Sequence, residues 1–294
     1  MYDCHMHFDE ETVPVEGLLR GMDESGVEKA ALIAPMCPNL KKTLLFRAAS
    51  PVFRSLVRKN PGASVARLIY NSWVKDDGMA DVGGKLYRIK PQPNNDVVMA
   101  AVRRFPGRFS GWIFVNPKGP ASPLHEIGRC LKTAGMIGVK AHPFWHGYPV
   151  HLLTDTATFC EKEGLPMLVH LGVGENGDFR LLPDRFPKLR VIYAHCGVPY
   201  QEEIQQYALN KPNVFFDLSC SAYVDLKSAL FALNQLGAKK CLFGSDGPYF
   251  HNVKGRFDYK PLVSMIQSLN LSSRDHEAVC RGNFLEIIGP RGKR

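Results

Sequence analysis

Ile137-Gly138-Val139-Lys140-Ala141-His142 and Pro166-Met167-Leu168-Val169-His170-Leu171 are two short apolar runs, each with a histidine at or near its end, and a helical stretch at 154–163 lies between them. Short runs rich in β-branched residues read as strands, and two of them joined through a helix read as a parallel pair with a crossover. The pattern extends in both directions. Strands are expected at 1–7, 29–35, 109–116, 137–142, 166–171, 190–195, 214–218 and 240–244, with amphipathic stretches at 16–25, 95–104, 123–134, 154–163, 201–208 and 225–236. Eight strand–helix units in 294 residues predict a closed (β/α)8 TIM barrel, a single α/β domain spanning 1–294.

One interval breaks the rhythm. Residues 38–94 are far too many for a βα loop, which normally takes about 2–6 residues. This segment is expected to be a helical insertion, with one helix at 44–59, capping the barrel mouth. It also carries the charge asymmetry. Between 38 and 105 there are 13 Lys+Arg against 4 Asp, while the rest of the chain balances at 24 against 24. Such a segment suits an anionic substrate or a solvated helical surface. No helix-turn-helix, zinc-finger or RNP pattern points to nucleic acid. A last helix is expected at 272–288, opened by Ser272 or Ser273.

Composition narrows the class. With 45% hydrophobic and 22% charged residues the chain reads as an ordinary globular protein. No run of 18 apolar residues is present, so no transmembrane helix and no membrane partner is expected. Met1-Tyr2-Asp3-Cys4-His5 shows neither the basic nor the apolar part of a secretory signal. The eight cysteines are dispersed singly with no CxxC pair, which favours free thiols and a cytoplasmic, reducing location.

In a barrel the chemistry gathers at the C-terminal ends of the strands. The first strand ends Asp3-Cys4-His5-Met6-His7, and residues two apart on a strand face the same side. The fourth ends in Lys140-Ala141-His142, the fifth in His170 and the sixth in His195, while Asp246 follows the eighth. Inward imidazoles are costly to bury unless something binds them. Imidazoles and one carboxylate converging on one ring of positions suit a zinc-like divalent ion with an open position.

These residues resemble the amidohydrolase superfamily, and more closely its amidohydrolase-related branch, which includes aminocarboxymuconate-semialdehyde decarboxylase. The likeness rests on Asp3-x-His5-x-His7, Gly138-Val139-Lys140-x-His142-Pro143, His170, His195-Cys196-Gly197 and Gly244-Ser245-Asp246-x-Pro248, and covers nearly the whole chain outside the insertion. It implies His5, His7, His170 and Asp246 as ligands to one divalent transition metal, zinc before manganese. It also implies Asp246 as general base and His195 beside the nucleophilic water. Lys140 has three roles open: a carboxylated bridge between two metals, an anchor for a substrate carboxylate, or an arm to solvent.

Other residues are weaker candidates. His142, Trp145 and Arg180 are expected to line or anchor a small, anionic substrate, with Tyr148, His146, Arg67 and Arg88 behind them. Asp3 is either a partner of a ligating histidine or a solvated strand start. Gly172–Gly177 lacks the Walker ending and reads as a βα loop at the mouth, not a nucleotide loop. Cys196 is expected to point away from the His195 side, and Asn283 to be structural.

The expected activity is metal-dependent hydrolysis of an amide, ester or lactone. Non-oxidative decarboxylation at the same site is the alternative, and an inactive metal-binding scaffold the rival of another class. A homodimer is left open, with the insertion serving as either interface or lid.

Overall fold

The computed structural model describes residues 1–37, 40, 44–58, 62–75 and 77–289. Eight strands pair in parallel in chain order: β1 (Tyr2–His7), β2 (Lys29–Ile33), β3 (Phe109–Val115), β4 (Met136–Ala141), β5 (Met167–Val169), β6 (Val191–Tyr193), β7 (Val214–Asp217) and β8 (Cys241–Leu242). Backbone bonds close the ring. Cys4 N donates to Phe243 O at 3.0 Å, and His7 N donates to Gly247 O at 2.9 Å. The fold is the expected TIM barrel. Its strands are almost entirely buried because side chains fill the interior and helices cover the outside.

The helices are α1 (Val15–Ser25), α2 (Leu44–Arg58), α3 (Gly62–Asn71), α4 (Asn95–Arg104), α5 (Pro123–Cys130), α6 (Thr154–Glu163), α7 (Leu181–Arg185), α8 (Gln201–Ala208), α9 (Leu226–Leu236), α10 (Lys260–Gln267), α11 (Ser273–Glu277) and α12 (Asn283–Ile288). Local chemistry sets their ends. Asn94 and Asp225 cap α4 and α9 by accepting from Asp96 N and Ser228 N, and Gly26 and Gly164 end α1 and α6 in the left-handed region. Ser272 caps α11, as expected. The last helix is not continuous: a π turn over Ala278–Gly282 separates α11 from α12. Asn283 donates to Ala238 O and Cys241 O, tying α12 beneath β8. Among the described residues no helix is long and apolar enough to cross a membrane.

The insertion is only half helical. After α2 and α3 the chain forms a hairpin of Met79–Asp81 with Leu86–Arg88. Gly83 and Gly84, at φ 62° and 83°, supply the left-handed turn that reverses it. The expected stretches at 38–39, 41–43, 59–61 and 76 lie outside the described residues. Three basic residues of the insertion tie it to the barrel helices and loops. Arg54 reaches Asp225 at 3.2 Å and Ser221 O at 2.7 Å, Arg58 reaches Asp225 at 3.4 Å, and Arg67 reaches Glu203 at 2.9 Å. All eight cysteines are buried thiols, none of them in a disulfide among the described residues.

Candidate active site

His5 and His7 leave β1 on one face, and Asp246 arrives from the loop after β8. Asp246 Oδ1 lies 3.4 Å from His5 Nε2 and 3.5 Å from His7 Nε2. A latch sets this meeting. Asp3 Oδ1 accepts from Ser245 N at 3.0 Å, and Oδ2 accepts from Ser245 Oγ at 2.5 Å and Tyr259 Oη at 2.8 Å. Asp3 therefore holds the loop that carries Asp246 and touches no imidazole among the described residues. Burial raises its pKa to about 6 against those hydrogen bonds. The backbone is strained at the same rim. His195, Cys196, Cys220 and Asp246 have φ of 55°, 57°, 67° and 54°, a region that non-glycine residues rarely enter.

Hydrogen-bond partners assign the proton on each imidazole. His5 Nδ1 lies 2.9 Å from Asp217 Oδ2, a carboxylate that only accepts, so Nδ1 carries the proton and Nε2 is a lone pair. His7 Nδ1 faces Ala34 O at 3.3 Å, with the same consequence. Ser219 Oγ donates to Asp217 Oδ1 at 2.5 Å and so accepts from His195 Nδ1 at 2.8 Å, leaving His195 Nε2 a lone pair. Tyr70 Oη lies 3.2 Å from Leu171 O and 2.5 Å from His170 Nε2; with the phenol proton assigned to Leu171 O, His170 Nε2 is the donor and Nδ1 a lone pair.

Lone pairs consequently meet lone pairs. Lys140 Nζ, 3.3 Å away, meets the His5 Nε2 lone pair, but His170 Nδ1 faces His195 Nε2 at 3.1 Å and His7 Nε2 faces Asp246 Oδ1 at 3.5 Å, with no N–H between either pair. Such contacts repel unless a cation joins them. His5, His7 and Asp246 bring their ligand atoms within 4.8 Å of one another, a donor set that fits a divalent transition metal, and His195 reaches Asp246 with His170 facing it from behind. Burial keeps the imidazoles neutral: the pKa values of His5, His170 and His195 fall well below the ordinary range, and that of His7 falls to about 3.

Lys140 Nζ lies 3.3 Å from His5 Nε2 and is completely buried. Burial lowers its pKa to about 8, opposed by Asp217 and then Asp246. His142 differs from its neighbours. Its Nδ1 accepts from Trp145 N at 3.1 Å, so Nε2 carries the proton. Its ring stacks on His170 at 3.9 Å. His142 and Trp145 line a cavity of about 50 Å³ with His7, His170, Asp246, Met36, Cys37, Leu40 and Tyr249. Arg180 lies elsewhere. It is exposed, and its guanidinium sits over the rings of Phe179 and Tyr207 at 5.3 and 5.8 Å.

Sequence reasoning missed Asp217, Ser219 and Tyr70. Asp217 closes β7, a strand-end position of the kind already examined on five other strands, so its signal was available. Tyr70 comes from the insertion, 100 residues from His170, and no local pattern marks it. Alternation also misplaces the reason for Cys196: β6 stops at Tyr193, and His195–Gly197 is a turn, so strand alternation does not operate there. Gly172 N donates to Asn176 O at 2.9 Å, closing the glycine-rich loop on itself.

Fold and site together define a (β/α)8-barrel enzyme whose histidines and carboxylate gather at one mouth. The chain belongs to the amidohydrolase family, whose model matches residues 2–287. It is 21% identical over 256 residues to a gamma-resorcylate decarboxylase of Polaromonas sp. strain JS666, covering 66% of this chain and 74% of that protein. A probable 2-pyrone-4,6-dicarboxylic acid hydrolase from Acinetobacter baumannii, with citric acid bound, has the same fold, with TM-score 0.62, 14% identity and 98% of each chain covered. So does a dihydroxybenzoic acid decarboxylase from Polaromonas sp. JS666 with bound manganese and 2-nitroresorcinol, with TM-score 0.56, 15% identity and coverage of 98% of this chain and 96% of that one.

Proposed function

We propose that the protein is a metal-dependent, non-oxidative decarboxylase of a small hydroxylated aromatic carboxylic acid. This reverses the order of the two activities expected from sequence, where hydrolysis came first. The observation that carries it is the mixed lining of the pocket. Trp145, Tyr249, Met36 and Leu40 supply apolar lining, and His7, His142, His170 and Asp246 supply imidazoles and a carboxylate. That chemistry matches an aromatic ring whose oxygens lie on one edge, for which the cavity of about 50 Å³ has to widen. The similarity to a resorcylate decarboxylase supports the same substrate class.

His5, His7, His170 and Asp246 would hold the divalent ion, zinc or manganese, with His195 adjoining. When bound, the ion supplies Lewis-acid stabilisation of negative charge on substrate oxygens. The chain's own groups do the rest. The ammonium of Lys140 and the His142 Nε2–H attract the substrate's carboxylate or phenolic oxygen. Trp145 and Tyr249 hold the ring and keep water from it. Asp246 delivers a proton to the ring carbon that bears the carboxylate. The bond from that carbon to the carboxylate then breaks, its electron pair restores the aromatic ring, and CO2 leaves. Asp246, now ionised, takes its next proton from water.

A second reading remains specific. The same Asp246 can accept a proton from water for lactone hydrolysis, and the fold likeness to a pyrone hydrolase favours that chemistry. Incubation with carboxyl-labelled dihydroxybenzoates separates the two. Labelled CO2 with formation of the resorcinol is the expected result. Inertness toward these acids combined with opening of a pyrone lactone would establish hydrolysis instead, and inertness to both would favour the inactive scaffold.

A further inference from the structure

Tyr70 reaches the histidine cluster from outside the barrel. It sits on α3 of the insertion, fully buried, with its ring stacked on Phe144 at 3.8 Å and 12°. Phe53 of α2 stacks on it from the cap at 6.0 Å, and Trp73 packs at 5.5 Å. The phenol has one proton. Given to Leu171 O, that proton leaves Oη able only to accept, and the donor at 2.5 Å is His170 Nε2.

We infer that Tyr70 is a positioning residue that locks the tautomer of His170, so that the inserted cap determines whether Nδ1 is offered as a lone pair to the centre. The inference rests on the metal-site reading above. Without Oη, the Nε2–H has lost its partner in a buried place, which disfavours that tautomer. The other tautomer has a partner waiting: an Nδ1–H would donate to His195 Nε2, 3.1 Å away. A metal ion would then have to displace a well-bonded proton. Hydrogen bonds of this kind behind a ligand typically alter metal affinity by about 10–100-fold.

The test is Tyr70→Phe, which keeps the ring stack and removes one oxygen. Nitrogen-15 NMR of the histidine side chains in metal-free protein is expected to show a larger share of His170 protonated at Nε2 in the wild type than in the variant. Zinc affinity, measured by competition with a chelating dye, is expected to fall by about 10–100-fold. A purely structural role would lower the thermal midpoint and leave the share of the Nε2–H tautomer unchanged, which overturns the proposal. The wild type needs no variant: His170 protonated at Nδ1 in the native metal-free protein overturns it equally. A wild type of the expected tautomer that binds no zinc would defeat the metal-site reading while leaving the Tyr70 lock standing.

Discussion

Asp217 holds two histidines from different strands with one carboxylate. Its Oδ2 accepts from His5 Nδ1 at 2.9 Å, and its Oδ1 accepts from the backbone N–H of His195 at 2.9 Å. Ser219, which in turn receives His195 Nδ1, donates to the same oxygen. The carboxylate thus fixes the proton of His5 directly and that of His195 through a hydroxyl.

Replacing Asp217 by Ala removes these acceptors at once from a wholly buried place. Zinc affinity should fall by about 10–100-fold, and stability by about 1–3 kcal/mol for the orphaned donors. Asp217→Asn should be milder, because its amide oxygen still accepts. Dye competition and urea unfolding measure the two effects. Unchanged affinity in Asp217→Ala would show that the carboxylate does not set the tautomers.

Asp246 is less deeply buried by comparison: its side chain is 14% exposed and lines the pocket. Asp246→Ala should abolish turnover, with a loss of at least about 10²-fold, the usual worth of a positioned proton donor. Circular dichroism should stay native, since the loop is held by Asp3 and Ser245 rather than by Asp246. Full activity in the variant would sink the mechanism.

How much of this site the sequence disclosed depends on where each partner lies. Strand ends are marked by periodicity, so His5, His7, His142, His170, His195 and Asp246 were legible from position alone, and Lys140 with them. Asp217 sat at an equivalent end and was overlooked. Tyr70 was not legible, because its place depends on how an insertion folds back over the barrel. Arg180 illustrates the converse: a charge chosen without a direction proved to sit on Phe179 and Tyr207. The hairpin of the insertion was readable from Gly83-Gly84 between Val82 and Tyr87, but the length of the segment suggested helices first.

The buried imidazoles make the metal-free protein acid-labile. His5, His7, His142, His170 and His195 all have pKa values lowered by burial, that of His7 to about 3. Below about pH 6.5 the unfolded chain takes up protons that the folded chain refuses, so stability falls as pH falls, by up to about 1.4 kcal/mol per unit for each group. Asp3 acts in the opposite sense. Raised to about 6, it gains a proton in the folded state first and adds stability on acidification. One carboxyl against five imidazoles leaves the net direction unchanged. The urea midpoint should drop from pH 7 to pH 5, and a flat or rising midpoint would contradict the neutral cluster.

Lys140 should show activity and stability moving apart. Its pKa of about 8 lies below the ordinary value near 10.5, so burial disfavours the ammonium more than Asp217 and Asp246 favour it. Between pH 8 and 10.5 the folded chain binds fewer protons than the unfolded one, and stability rises with pH across that window. At pH 7 the ammonium is retained at a cost. Lys140→Met keeps the length and apolar bulk of the stem and removes the charge whose burial outweighs its attraction to Asp217 and Asp246, so it should stabilise the fold by about 1–3 kcal/mol. It should also remove the anchor for the substrate's oxygens and raise KM more than it lowers kcat. Thermal unfolding at pH 7 and steady-state kinetics measure both. A variant that is less stable than the wild type would mean that the attraction to Asp217 and Asp246 outweighs burial, and an unchanged KM would place the substrate anchor elsewhere.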